Sequence, residues 1–115
     1  KLPEVLSQSE DAGQWTLNLS IPPDLAFFSG HFPKTPVLPG VVQVDWAMVL
    51  GQQLLDLPPR FAGMEVLKFQ QLVRPGDAIE LTLRFDSERA KLHFAYRNAT
   101  APCSSGRIVL EAPCG

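Results

Sequence analysis

The sequence predicts an α+β fold in which one long central helix is wrapped by a curved antiparallel β-sheet. Three observations support this. Stretches on both flanks alternate apolar and polar residues with the period of two that a half-buried strand requires. A run from about Val41 to Leu55 is apolar almost throughout and shows no such alternation. Eleven prolines and eight glycines in 115 residues mark a chain that turns often, more than a helical bundle would.

The first strand signal is Trp15, Leu17, Leu19 and Ile21, interleaved with Thr16, Asn18 and Ser20. The helix follows, opened by Pro39-Gly40 and closed by Asp56-Leu57-Pro58-Pro59, because a proline disfavours helical backbone at the residue before it. Phe61 to Phe69 reads as the next strand. Pro75-Gly76-Asp77 is a turn, with proline fixing one backbone angle and glycine accepting a positive one. Ile79, Leu81, Leu83 and Phe85 alternate with polar residues, as do Leu92, Phe94 and Tyr96. The short polar link Asp86-Ser87-Glu88-Arg89 makes these two runs an antiparallel hairpin. A last strand is expected around Arg107 to Glu111. A helix apolar on nearly every side is expected to be surrounded by protein. No repeat, linker or low-complexity tract interrupts residues 1–115, so a single domain is expected.

Composition narrows the function classes. Ten Lys and Arg against twelve Asp and Glu give a net charge of −2, and no two basic residues are adjacent. Nucleic acid is therefore not the expected partner, since phosphate neutralisation needs clustered cations. Asp45 is the only charged residue from Thr35 to Leu55, yet Pro36, Pro39, Gln43, Gln52, Gln53 and that carboxylate count against membrane insertion. The N-terminal Lys1-Leu2-Pro3-Glu4 has no export-signal character, and a cytoplasmic protein is expected. Cys103 and Cys114 lack metal-type spacing and read as reduced thiols rather than a bridge.

The chemistry concentrates between Phe28 and Val41. Three prolines and two glycines in the twelve residues from Gly30 make a stiff, irregular loop that holds His31 and leads into the helix. One turn into the helix, Asp45 is flanked by Val41, Val42, Val44, Ala47, Met48, Val49 and Leu50. Buried, such a carboxyl would find donors or gain a proton, the latter suiting general acid work; otherwise it would sit solvated on a wet edge or cap nearby amides near the helix start. His31 alone fits a structural as well as a catalytic histidine, whereas His93 falls on the polar side of its strand and reads as solvated. The helix start at Gly40 and Val41 offers free amides and a positive dipole end to an oxygen gaining negative charge. Imidazole, carboxyl and oxyanion site together suit proton abstraction beside a carbonyl. No Ser or Cys nucleophile elbow, phosphate-cradling loop or metal-ligand cluster competes with them.

The run Gly30-His31-Phe32-Pro33, then Pro36-Val37-Leu38-Pro39-Gly40-Val41, then an acid five residues after that glycine, closely resembles the (R)-3-hydroxyacyl-acyl carrier protein dehydratases of FabZ and FabA type. Lys68-Phe69 and Arg74-Pro75-Gly76-Asp77 resemble the strand and turn after that family's central helix, and the likeness spans roughly Leu17 to Leu110. Leu38 to Ala47 looks especially like the ApeI-like branch, associated with aryl polyene synthesis. The resemblance implies the hotdog fold. It also implies His31 and Asp45 as the catalytic pair, Gly40 (with Val41) at the thioester carbonyl, and no cofactor. By the same resemblance the substrate is expected to ride on the phosphopantetheine arm of an acyl carrier protein, and the active form to be a homodimer, or a larger or mixed assembly, with the site at its interface. Phe28, Phe32, Pro39, Trp46, Phe61 and Met64 are the expected tunnel residues, and Lys34 and Arg60 the expected carrier-docking cations. One departure is Val49, which stands where FabZ-type members usually carry a glutamine one turn after the acid. The reaction implied is dehydration of a 3-hydroxyacyl thioester. A hotdog thioesterase and a non-catalytic acyl-binding partner subunit are the alternatives, the first disfavoured because such thioesterases usually lack the Gly-His-Phe-Pro loop.

Overall fold

A computed structural model describes residues 2–23 and 37–112. Among them, six strands and one helix follow in the order β1 (Glu4–Asp11), β2 (Gln14–Ser20), α1 (Gly40–Leu54), β3 (Arg60–Phe69), β4 (Ala78–Asp86), β5 (Lys91–Arg97) and β6 (Pro102–Glu111). All pair antiparallel in one sheet of order β1-β2-β4-β5-β6-β3, so the α+β expectation holds.

The alternating strands behave as their pattern demands. Leu17 of β2, Leu81 of β4, Tyr96 of β5 and Ser104 of β6 lie opposite one another in a row across the sheet, all essentially buried. Leu83 and Phe94 sit opposite in the next row, and Phe94 meets Tyr96 edge-on at 6.1 Å between ring centroids. Against this inner face α1 lays Val44, Trp46, Ala47 and Leu50. Close approach is built in at Gly51, where a Cβ would stand 2.9 Å from Leu92 Cδ2.

β1 has no counterpart in the sequence reading. Its Glu-Val-Leu-Ser-Gln-Ser-Glu-Asp run carries no alternation, every residue is exposed, and backbone pairing with β2 alone makes it a strand. The joining turn, Ala12-Gly13, has positive φ at both residues (51° and 85°), the twist-matched geometry for a two-residue hairpin. β6 begins five residues earlier than Arg107, because Cys103 to Gly106 are too small to signal a strand although their backbone pairs with β5 and β3. β3 pairs with β6, not with the β4 strand it precedes, and so forms the edge of the sheet. Its register shifts between Glu65 and Lys68, where Val66 takes φ 52°, a left-handed geometry costly for a β-branched residue. The turn at Pro75-Gly76-Asp77 forms as expected: Gly76 has φ 82°, and Asp77 accepts the Arg74 amide through its carboxylate at 2.8 Å.

The enclosed helix is corrected. Val41 is 76% exposed, and Asp45, Gln52 and Gln53 are exposed with it, leaving one face of α1 uncovered by its own sheet. Among the described residues, no helix is long and apolar enough to cross a membrane. Cys103 is a buried free thiol whose pKa burial pushes up; Cys114 lies outside the described residues.

His93 is half-buried rather than simply solvated, with Arg84 on β4 and Arg107 on β6 directly opposite it. Burial, then the Arg84 and Arg107 charges, hold its imidazole below the usual range; Lys91 acts in the same sense and Asp86 against it. The unfolded chain therefore binds a proton that the folded chain refuses, and stability falls as pH drops through the ordinary value of 6.5. His93→Gln is expected to shrink the difference in Tm between pH 8 and pH 5.5, measured by thermal melts; an unchanged difference would assign that slope to other groups.

Candidate active site

The site is built around the entry to α1. Pro39 is the N-cap, in extended conformation and without a side-chain cap. Its carbonyl accepts from the amides of Val42 (3.1 Å) and Gln43 (3.2 Å), while the Gly40 and Val41 amides have no partner among the described residues. Two adjacent open donors at the positive end of a helix can hold an oxygen that gains negative charge.

The segment before the helix is clamped. The Leu38 amide donates to the Val73 carbonyl at 2.6 Å, and the Leu38 carbonyl accepts from Gln43 Nε2 at 3.2 Å. Gln43 is 3% exposed and bonded at both side-chain atoms: Ser104 Oγ donates to its Oε1 at 2.6 Å, and the Tyr96 hydroxyl donates to its backbone carbonyl at 2.7 Å. Burial, with the Asp45 charge second, raises the Tyr96 pKa, so the phenol remains a donor.

Asp45 lies one turn after Val41 on the same helix face, and both residues are exposed. Of the two readings of this acid, the structure shows the exposed one; within a single chain it is not the buried carboxyl the flanking sequence suggested. Val49 is only partly buried. His31, Phe28, Phe32 and Lys34 lie outside the described residues.

The expected tunnel residues separate into two groups. Trp46 is packed in the core at 1% exposure, and Pro39 is partly buried at the helix start. Phe61 and Met64 stand on the edge strand β3, each about half-exposed. Arg60 begins that strand, and its guanidinium reaches Glu111 at 3.4 Å. Two residues escaped the sequence reading. Phe69, noted there only as a landmark, presents its ring to the helix start, where a Cβ on Gly40 would lie 2.5 Å from its Cζ. Gln43 was read only as a polar residue unsuited to a membrane, because a glutamine in an apolar helix gives no local sign of its partners on distant strands. Two cavities, of ≈ 340 and ≈ 410 Å³, open elsewhere on the sheet, and neither is lined by Gly40, Val41 or Asp45.

The sequence profile of the ApeI-like family, described as ApeI dehydratase, matches residues 7–107. This chain belongs to the ApeI-like dehydratases. A solved member of comparable shape is in the dehydratase heterocomplex ApeI:P from Xenorhabdus doucetiae, with 34% identity and a TM-score of 0.85 over 93% of this chain and 96% of that one. An uncharacterized protein from Erwinia carotovora subsp. atroseptica fits equally well, at 35% identity and a TM-score of 0.85, covering 97% and 98% of the two chains. Among curated proteins, the 3-hydroxyacyl-[acyl-carrier-protein] dehydratase FabZ of Oenococcus oeni is 35% identical over 95 residues, which are 73% of this chain and 68% of that one. The FabZ of Caldicellulosiruptor bescii is 40% identical over 92 residues, 74% and 64% of the respective chains. The ApeI-like chain thus spans about two-thirds of the length of these curated relatives, and half of the FabZ of Erythrobacter litoralis. The dehydratase domain of PpsC from Mycobacterium tuberculosis, at 17% identity and a TM-score of 0.70, shares the fold. With one helix laid across a single antiparallel sheet, that fold is the hotdog.

Proposed function

We propose that this ApeI-like chain removes water from a (R)-3-hydroxyacyl thioester carried on acyl carrier protein, giving the trans-2-enoyl thioester, in fatty acid or aryl polyene type synthesis. The observation that carries the proposal is the pair of unpartnered amides at Gly40 and Val41, with Asp45 exposed one turn further along the same helix, in a chain of this family. The thioester oxygen accepts from the Gly40 amide. Neutral His31 takes the proton from C2, the C2 electron pair forms the C2–C3 double bond, and the C3–O bond breaks as Asp45 protonates the departing hydroxyl to water. Transfer of the proton from His31 back to Asp45 resets the pair. The thioester carbonyl itself acidifies the C2 proton, so the reading calls for no cofactor.

An acid exposed beside Val41 on the uncovered side of the helix supports a dimer with the site at its interface. Val41 and the edge-strand residues Phe61, Met64 and Phe69 are about half to three-quarters exposed, an apolar surface that a second copy would cover. His31 of one protomer would then face Asp45 of its partner. The solved Xenorhabdus relative belongs to a dehydratase heterocomplex, which supports a mixed pair as the alternative assembly. Lys34 and Arg60 are the proposed cations for an acidic carrier, and a cytoplasmic location belongs to the same reading.

The test is direct. Purified protein is mixed with a 3-hydroxyacyl thioester while enoyl absorbance and free thiol are followed. Enoyl product with no thiol is expected. Thiol release would make the chain a thioesterase, and neither signal would make it a binding subunit.

A further inference from the structure

We infer that Gln43 is a positioning residue, which sets the oxyanion amides at the helix start by holding the Leu38 carbonyl. Its consequence for rate rests on the dehydratase reading above. Gln43 bonds this segment twice and is itself held once. Its side-chain amide donates to the Leu38 carbonyl, its backbone amide donates to the Pro39 carbonyl, and its own carbonyl is gripped by Tyr96 on β5. Ser104 Oγ on β6 donates to the remaining side-chain atom, Oε1. Leu38 is thereby pinned on both sides, by Val73 through its amide and by Gln43 through its carbonyl, two residues before Gly40.

The chemistry of the position singles out glutamine. Leu38 and Ser104 present an acceptor and a donor on opposite sides of one buried point, and a primary amide answers both. An apolar side chain of equal length leaves both groups unsatisfied in the core, whereas an asparagine falls short of one of them. Asp45 lies two positions along and points to the opposite side of α1. The residue that carries the proposed acid and the residue that aligns the proposed oxyanion site are thus read from opposite faces of one helix. An anchor of this kind acts on rate, since a displacement of about 1 Å in a positioned group can cost on the order of 100-fold.

The experiment compares Gln43→Met with Ser104→Ala, which removes one buried hydrogen bond yet keeps the one to Leu38. Steady-state dehydration and amide hydrogen exchange are measured on the full chain. Gln43→Met is expected to lower kcat by roughly tenfold or more with KM within about twofold, and to speed exchange at Leu38 relative to the core strands. Ser104→Ala is expected to keep kcat within about twofold of wild type. Equal losses in both variants, or unchanged Leu38 exchange in folded Gln43→Met, would overturn the assignment. If Gln43→Met does not fold, Gln43→Glu replaces it. Its neutral acid form donates to Leu38 and accepts from Ser104, so its kcat relative to wild type falls as pH rises and the carboxyl ionises; a flat ratio overturns the assignment. Absence of enoyl product with the wild-type chain would instead sink the dehydratase reading, leaving the exchange data to judge Gln43 alone.

Discussion

His31→Ala and Asp45→Ala are each expected to abolish enoyl formation while leaving the fold intact. Each removes one half of a proton relay, and general acid–base groups contribute about 10²–10⁴-fold apiece. Stability should barely change at Asp45, because its side chain is exposed and supports no packing in the single chain. Thermal melts alongside the enoyl assay separate loss of chemistry from loss of structure. Mixing the two inactive variants adds a sharper readout: if each site takes His31 from one subunit and Asp45 from the other, a mixed dimer holds one intact site, and activity reappears on mixing. Full activity in either single variant removes that residue from the mechanism. Inactive mixtures that nevertheless exchange subunits would place both groups in the same chain.

Gly40→Ala is expected to cost about 10²-fold in kcat/KM, the scale of losing one oxyanion donor. A methyl there would stand 2.5 Å from Phe69 Cζ and 2.7 Å from Cε1, so the ring must swing aside. That ring is about half-exposed and free to move, which makes the penalty to folding small and leaves the damage at the amide face. Gly40→Ala combined with Phe69→Ala tests the source of the loss. Partial recovery of kcat/KM in the double variant assigns it to the displaced ring, and no recovery assigns it to the methyl over the amide. Wild-type kcat/KM in a folded Gly40→Ala protein would show that no substrate atom approaches this amide.

Most of the fold was legible because its strands are amphipathic. Leu17, Leu81, Leu83 and Phe94 announce an inner face by alternation, and the sheet buries them all. Legibility fails where backbone pairing, not side-chain burial, makes the strand. β1 is exposed along its whole length, and the start of β6 is a run of small residues. Neighbour relations were hidden for a different reason: sequence order puts β3 beside β4, whereas the sheet inserts β5 and β6 between them. At the site, Gly40, Val41 and Asp45 could be found by local pattern, since a proline, a glycine and a lone acid in an apolar run are conspicuous. Gln43 and Phe69 could not, because their importance lies in contacts with Ser104, 61 positions away, and with a glycine 29 positions earlier.

The bare entry to α1 has a consequence for anyone wishing to make this protein hardier. Helices are commonly strengthened by placing serine, threonine or aspartate just ahead of the first turn, worth about 1 kcal/mol. Here such a side chain in place of Pro39 would accept from the Val41 amide, one of the two open donors, and crowd the neighbouring Gly40 amide that the thioester is proposed to use. Robustness and turnover draw on the same few atoms, so thermal improvement should be sought at the outer strands, far from that doorway.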